Sequence, residues 1–124
     1  IIEYVKKGKL TFDVNSIALL FAERIIEQPQ LIQKLIDVEN DGKEYTLDSL
    51  KKHGYECRDC RGNFIFVKPY HDAKQIAFKL EKEKKVLVHS YGNELLKDYI
   101  RVSVGSRNAM RIFLDAFYEV DYKE

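Results

Sequence analysis

The sequence predicts an α+β fold of two layers, in which helices cover one face of a small, largely antiparallel sheet of three to four strands. The first sign is the order of the patterns: two helical segments, two short extended runs, a third helix, two more extended runs and a last helix. The second is YIRVSV, residues 99–104, where apolar and polar residues alternate as in a strand with one buried face. The third is the amphipathic stretch that follows Gly105.

Four segments show the apolar spacing expected of amphipathic helices. Pro29 separates the first two, because the residue before a proline avoids helical backbone angles while proline itself fits a first helical turn. Gly42 disfavours the second helix by about 1 kcal/mol relative to alanine, so a kink or a break near it is an alternative to a continuous helix. The predicted helices are 14–27, 30–53, 71–83 and 106–120.

The core should form between one face of the sheet and the helices that cover it. The last helix is expected to begin at Ser106, a good cap residue. Its expected buried residues are Ala109, Met110, Ile112, Phe113, Ala116, Phe117 and Val120. The predicted strands are 55–59, 63–68, 86–90 and 99–104. Among the aromatic residues, Phe64, Phe66, Phe113 and Phe117 are interpreted as core.

Arg101 lies in the middle of the fourth predicted strand, between apolar neighbours. Because side chains alternate along a strand, Ile100 and Val102 should face the helices, and Arg101 should point to the uncovered side of the sheet. Two interpretations follow. The arginine is a solvated residue of an edge strand, or its guanidinium holds an anion.

The composition is that of a globular domain without a strong charge bias. The chain has 124 residues, the size of one domain, with 45% hydrophobic and 33% charged residues. The net charge of +1 favours neither nucleic acid nor a membrane surface as a partner. An RNA-binding sheet would also need exposed aromatic residues on adjacent strands and a basic surface. The chain begins at Ile1 rather than at a methionine, so we expect it to be part of a longer protein.

The two cysteines form the pair Cys57-x-x-Cys60. Such a pair is found in redox centres and in halves of zinc sites, but zinc needs further ligands at suitable spacing, and the sequence has no second pair of this kind. The interpretation favoured here is two ordinary cysteines in a reducing, cytoplasmic compartment, with no metal site.

Four segments in this order resemble the C-terminal small domain of class I/II aminotransferases, the pyridoxal-phosphate enzymes of fold type I. They are YTLDSLKKHGYE, GNFIFVK, KVLVHSYG and YIRVSVGSRNAMRIFLDAF. The subgroup most similar is that of histidinol-phosphate aminotransferase, with threonine-phosphate decarboxylase nearby, and FDVNSIALLFAERII resembles the helix that leads into its small domain. The resemblance covers nearly the whole chain. It implies that residues 1–124 are such a small domain, with the domain that binds pyridoxal phosphate outside this sequence.

The resemblance assigns substrate binding to two residues. In the family, a segment similar to Arg-Ile-(Thr/Ser)-Val-Gly precedes the last helix, and its arginine binds the acidic group of the substrate; Arg101 in IRVSVG matches it. His89 in LVHSYG stands where the family often has a second arginine that helps to hold a phosphate. Histidine is only partly charged at neutral pH and lacks the bidentate fork of arginine. This departure leaves room for a substrate other than histidinol phosphate, or for a differently placed anion.

The resemblance places no catalytic and no cofactor-binding residue in this chain, because the Schiff-base lysine and the aspartate that pairs with the pyridinium nitrogen belong upstream of residue 1. The implied whole protein is a cytoplasmic, homodimeric transaminase of amino-acid biosynthesis. It uses pyridoxal 5′-phosphate to move an amino group between an amino acid or amino phosphate and a 2-oxo acid. The chain itself is expected to bind no cofactor and to be inactive alone. The alternatives are the small domain of a pyridoxal-phosphate decarboxylase, and a non-enzymatic ligand-binding or interaction module.

Overall fold

A computed structural model of the chain describes residues 14–122 and confirms the predicted fold class and the order of the elements. None of the helices in this range is long and apolar enough to cross a membrane. The elements are α1 (Ser16–Ile26), α2 (Pro29–Lys52), β1 (Glu56–Asp59), β2 (Phe64–Lys68), α3 (Ala73–Lys84), β3 (His89–Ser90), β4 (Ile100–Ser103) and α4 (Arg107–Val120).

The described part of the chain divides into two compact units, which meet in sequence between Lys34 and Leu35. In the first unit, α1 is capped by Asn15, whose side-chain oxygen accepts the backbone N–H of Ala18 at 2.8 Å. This bond satisfies one of the donors that every helix leaves unpaired at its start. Ile17 and Phe21 of α1 are exposed.

In the second unit, the four strands form one antiparallel sheet in the order β1–β2–β4–β3. β4 is therefore an inner strand with hydrogen-bonded neighbours on both sides. Its register places Arg101 opposite Phe66 on β2 and opposite His89 on β3. The interpretation of Arg101 as a residue of an edge strand is thus wrong.

The core lies between one face of this sheet and the helices. Ile65 and Val67 of β2 are fully buried, and so is Ile100 of β4, whereas Val102 is 3% exposed. This confirms that Ile100 and Val102 face the helices. The helical side of the core consists of Leu50, Ala73, Ile76, Leu80, Met110, Phe113, Leu114, Ala116, Phe117 and Val120.

Two predicted elements differ from the structure in detail. The third strand was predicted over 86–90, but only His89–Ser90 pair with β4. Val86 and Val88 pack against the core without joining the sheet, and Leu87 is 83% exposed. The apolar run is therefore not a strand along its whole length.

The buried stripe of α4 is also shifted from its prediction. Met110, Phe113, Leu114 and Phe117 follow the i, i+3, i+4, i+7 spacing of one helical face and are buried. Ala109 and Ile112 were predicted to be buried and are exposed. Burial of Met110, Phe113, Ala116, Phe117 and Val120 is confirmed.

Gly42 allows α2 to pass close to the turn that joins β4 to α4. The helix is continuous through this residue, so the predicted alternative of a break is wrong. A Cβ atom on Gly42 would lie 1.9 Å from the backbone oxygen of Gly105 and 3.0 Å from the carbonyl carbon of Ser106. Only glycine leaves enough space for this close approach, although glycine is less favourable than alanine inside a helix.

The end of α4 is held by a buried carboxylate. Asp121 is completely buried, and its side chain accepts the backbone N–H groups of Tyr70 at 2.9 Å and His71 at 3.0 Å. Nδ1 of His71 lies 2.8 Å from the same carboxylate. The hydroxyl of Tyr55 donates to the backbone oxygen of Asp121. Burial, followed by the nearby Asp121 charge, raises the pKa of Tyr55 well above its usual range.

The substitution Gly42→Ala should destabilise the chain by roughly 1–3 kcal/mol, the usual effect of overpacking a close contact. Helix propensity alone predicts the opposite, a gain of about 1 kcal/mol. The midpoint and slope of urea denaturation of the purified chain measure the change. Gly92→Ala is the control, because the nearest atom to its Cβ would be Nζ of Lys74 at 4.0 Å. A Gly42→Ala chain as stable as the unmodified one would contradict the contact with Gly105.

Candidate functional site

The face of the sheet turned away from the core, called here the open face, carries the candidate site. Phe64, Phe66, Tyr99 and Arg101 alternate with the buried residues of β2 and β4 and therefore point to this side. The interpretation of Phe64 and Phe66 as core was wrong. Both are only partly buried, and the core positions of β2 belong to their neighbours, Ile65 and Val67.

Four side chains form one row across the open face. The register pairs Arg58 with Phe66, Phe66 with Arg101, and Arg101 with His89. Directly opposed residues on antiparallel strands have Cβ atoms about 4.5–5.5 Å apart. The two residues that the sequence singled out, Arg101 and His89, are therefore immediate neighbours, although a loop and the end of a strand separate them along the chain.

The guanidinium of Arg101 has no acidic partner within residues 14–122, and no hydrogen bond joins it to them. Its contact is the aromatic ring of Phe64, with the carbon Cζ 5.4 Å from the ring centroid. A guanidinium is always charged and presents a planar fork of donors that matches a carboxylate or a phosphate. Arg101 is partly exposed on the open face and keeps this fork available for an anion.

Arg58, in the same row, differs from Arg101 because it has an acidic partner. Its Nη2 lies 3.2 Å from a carboxylate oxygen of Glu56, and its Cζ lies 5.2 Å from the ring centroid of Tyr99. The hydroxyl of Tyr99 donates to the same Glu56 oxygen at 2.6 Å. That hydrogen bond, and then Arg58, lowers the pKa of the Glu56 carboxyl. Because Glu56 stays charged, it compensates the charge of Arg58, and Arg101 is the arginine of the row whose charge is not compensated.

His89 is exposed at the end of the row, on the short edge strand β3. Its ring meets the ring of Tyr91 edge to face, with the centroids 4.6 Å apart. Tyr91 in turn packs against Phe66 with a centroid separation of 6.0 Å. The imidazole can therefore approach an anion held by Arg101, and it adds a positive charge whenever it is protonated.

A shallow cavity of about 310 Å³ lies on the other side of Phe66 from Arg101. Its walls combine apolar side chains with the compensated arginine. The lining residues are Arg58, Asp59, Cys60, Phe66, Leu95, Leu96 and Tyr99. The open face thus offers an uncompensated cation beside a surface that is largely aromatic.

The cysteine pair is not part of this row. Cys57 packs partly against the core, and burial raises the pKa of its thiol, which disfavours the reactive thiolate. Both thiols are free. Between residues 14 and 122, no three acidic, histidine or cysteine side chains are grouped closely enough to hold a metal ion.

The sequence correctly predicted the direction of Arg101, but it missed its aromatic neighbours. Phe64 and Phe66 were assigned to the core, and Tyr91 was not considered as part of the site. Alternation showed that only one of the pairs Phe64/Phe66 and Ile65/Val67 can face the helices, but both pairs are apolar, so it could not show which one.

No protein-family model matches the chain, but individual relatives do. A protein of Clostridium kluyveri is 30% identical over 104 residues, covering 83% of this chain and 29% of the relative. One from Clostridium botulinum strain Okra is 29% identical over 119 residues, 94% of this chain and 33% of the relative. Each is named histidinol-phosphate aminotransferase. A Pseudomonas fluorescens relative, named histidinol-phosphate aminotransferase 1, is 26% identical over 120 residues, which are 96% of this chain and 34% of the relative. The chain spans about one third of the length of these curated relatives.

Solved structures share the fold. A provisionally named aminotransferase of Burkholderia pseudomallei superposes with a TM-score of 0.73 and 21% identity, over 97% of this chain and 37% of that one. A provisionally named histidinol-phosphate aminotransferase of Erwinia carotovora atroseptica superposes with a TM-score of 0.67 and 17% identity, over 76% of this chain and 27% of that one. At these identities the superpositions establish the fold alone. Together with the sequence matches, they confirm the predicted resemblance: the chain is related to the histidinol-phosphate aminotransferases and corresponds to about one third of their length.

Proposed function

We propose that this chain is the substrate-anchoring small domain of a longer, cytoplasmic, pyridoxal-phosphate-dependent aminotransferase. Its task is to hold the acidic group of an amino acid or amino phosphate while the amino group reacts elsewhere in the protein. The observation that carries the proposal is the uncompensated guanidinium of Arg101 on an inner strand of the open face. Support comes from the relatives, which are named as aminotransferases and are about three times as long.

The environment of Arg101 suits an anchor. An inner strand is hydrogen-bonded on both sides, so the backbone of Arg101 is fixed in relation to Phe66 and His89. The guanidinium makes no internal ion pair with the described residues that a ligand would have to displace. Hydrogen bonds between charged partners contribute about 1.5–3 kcal/mol each, so a two-pronged contact would contribute several kcal/mol to substrate binding.

His89 is the second proposed substrate contact. Its strand position places it beside Arg101, on the side opposite Phe66. When neutral, the imidazole can donate one hydrogen bond to a carboxylate or a phosphate. When protonated, it adds a charge that favours a phosphate, which carries more negative charge than a carboxylate. The substrate class is therefore an amine with a carboxylate or a phosphate, and histidinol phosphate is one candidate.

Neither Lys68 nor Lys43 offers a free amine to the cofactor. Formation of an imine with pyridoxal phosphate needs a lysine amine that is free of ion pairs and close to the substrate. Lys68 points to the open face, but its Nζ lies 3.7 Å from the carboxylate of Asp98. Nζ of Lys43 donates to Asp59 and to two backbone carbonyls at 2.8–3.0 Å. We propose that the cofactor, the chemical steps and the contacts of the proposed homodimer belong to other parts of the whole protein.

Arg101→Ala in the full-length protein should lower kcat/KM by roughly 10- to 1,000-fold, which corresponds to one or two charged hydrogen bonds at 1.36 kcal/mol per decade. Arg101→Lys keeps the charge but loses the fork, so it should also lose substantial activity. The assay uses the best amino donor from a panel of histidinol phosphate and the common L-amino acids, with 2-oxoglutarate as acceptor. Absorbance of the bound cofactor should be unchanged.

The control for this experiment is Arg111→Ala. Arg111 is an exposed arginine of α4 whose contacts, to Asn108 and Asp115, lie within its own helix. This variant should keep the activity of the unmodified protein. If Arg101→Ala changes kcat/KM by less than about twofold for every accepted donor, a difference below 0.5 kcal/mol, Arg101 is a solvated strand residue and the proposal is wrong.

The chain alone, mixed with pyridoxal phosphate, should give no transamination above that of the free cofactor. Borohydride reduction followed by peptide mass analysis tests the same point, because it traps imines on lysine. We expect low, scattered labelling of exposed lysines. A stoichiometric adduct on one lysine would show that this chain carries its own cofactor site.

A further inference from the structure

We propose that Phe64 is a positioning residue for Arg101: its ring fixes the direction of the guanidinium and so sets the affinity for the acidic group of the substrate. The inference rests on the proposed anchoring function and adds to it a residue that does not itself bind the substrate. Phe64 does not touch the substrate in this account. It acts through the arginine.

The contact between the two side chains is specific. Phe64 lies opposite Ser103, and Arg101 lies opposite Phe66, so the ring and the guanidinium meet diagonally across the β2–β4 pair. Diagonal neighbours on one face of a sheet are within reach of aromatic and long side chains. Cζ of Arg101 lies 5.4 Å from the centroid of Phe64, which is within the range of a cation–π interaction.

This contact matters because the guanidinium has little else to hold it. Arg58, two strands away, is directed by Glu56 and Tyr99, whereas within residues 14–122 Arg101 has neither an acidic partner nor a hydrogen bond. An arginine side chain that is free to rotate loses conformational entropy when it binds a ligand. A ring that already favours the bound direction reduces this loss, while the fork of donors stays available for an anion.

The ring of Phe64 packs against a neighbouring ring of the open face. Its ring meets Phe66 edge to face, with centroids 5.7 Å apart and an interplanar angle of 81°. A Cβ atom on Gly62 would be 3.2 Å from Cε1 of the same ring. Such a separation is tighter than most side-chain contacts, so the absence of a side chain at Gly62 leaves the ring the space that it occupies.

The test is a double-mutant cycle in the full-length protein with its cofactor. Phe64→Leu removes the aromatic face and keeps an apolar residue of similar reach. It should raise KM for the amino donor by about 2- to 30-fold, the range that corresponds to a cation–π contact. The value of kcat should change less than KM, because the contact acts before the chemical steps. Phe64→Tyr keeps the ring face and should restore KM to within about twofold of its original value.

The decisive arm repeats Phe64→Leu in the Arg101→Ala background. If Phe64 acts through Arg101, its substitution should have no further effect on KM once the guanidinium is gone. If Phe64→Leu raises KM equally in both backgrounds, Phe64 acts by supporting the sheet, and the inference is wrong. The amino donor is the same one chosen for the Arg101 experiment.

Phe78→Leu is the matched control. Phe78 is an exposed phenylalanine of α3 with a similar contact to a cation, since Nζ of Lys82 lies 5.8 Å from its ring centroid. This variant should leave KM unchanged. The experiment also separates the two proposals. No effect of Arg101→Ala itself refutes the anchoring function, whereas a large effect of Arg101→Ala without an effect of Phe64→Leu refutes only the positioning role.

Discussion

The position of β4 inside the sheet is the constraint on which the candidate site depends. Because β4 is hydrogen-bonded to β2 and to β3, its register cannot shift without breaking both pairings. A shift by one residue would move Ile100 and Val102 out of the core and turn Arg101 into it. An unpaired charge in a core costs several kcal/mol. Burial of the apolar residues and solvation of the guanidinium therefore favour the same register, which places Arg101 beside His89.

The end of β4 is fixed by contacts with α2. The missing side chain of Gly42 lets the helix approach the backbone of Gly105, and the neighbouring Asp41 receives a two-pronged contact from Arg107 at 2.9 and 2.6 Å. Arg107 lowers the pKa of the Asp41 carboxyl, so this pair stays charged down to lower pH than a free carboxyl would allow. The exposed ion pair adds little stability by itself. It joins α2 to the first residue of α4, whose start is capped by Ser106.

The direction of Arg101 could be predicted from the sequence, because it stands between apolar residues in a clearly alternating strand. Phe64 and Phe66 could not be placed in the same way. The segment FIFV is apolar on both faces, so its pattern contains no signal for which pair meets the helices. The pairing of Arg101 with His89 was also beyond local patterns, since it depends on two strands that are separated by residues 91–99. The α+β class could be predicted because it follows from the order of helical and extended segments, and local patterns indicate each of these segments.

The central claim is that the guanidinium of Arg101 binds the acidic group of the substrate. A crystal structure of the full-length protein with its cofactor and a bound substrate analogue tests it most directly. A carboxylate or phosphate oxygen should lie about 2.7–2.9 Å from a guanidinium nitrogen of Arg101, the distance of charge-assisted hydrogen bonds. The ring of Phe64 should remain in contact with the guanidinium. An analogue whose anion is held by other groups, with Arg101 turned to solvent, would contradict the account.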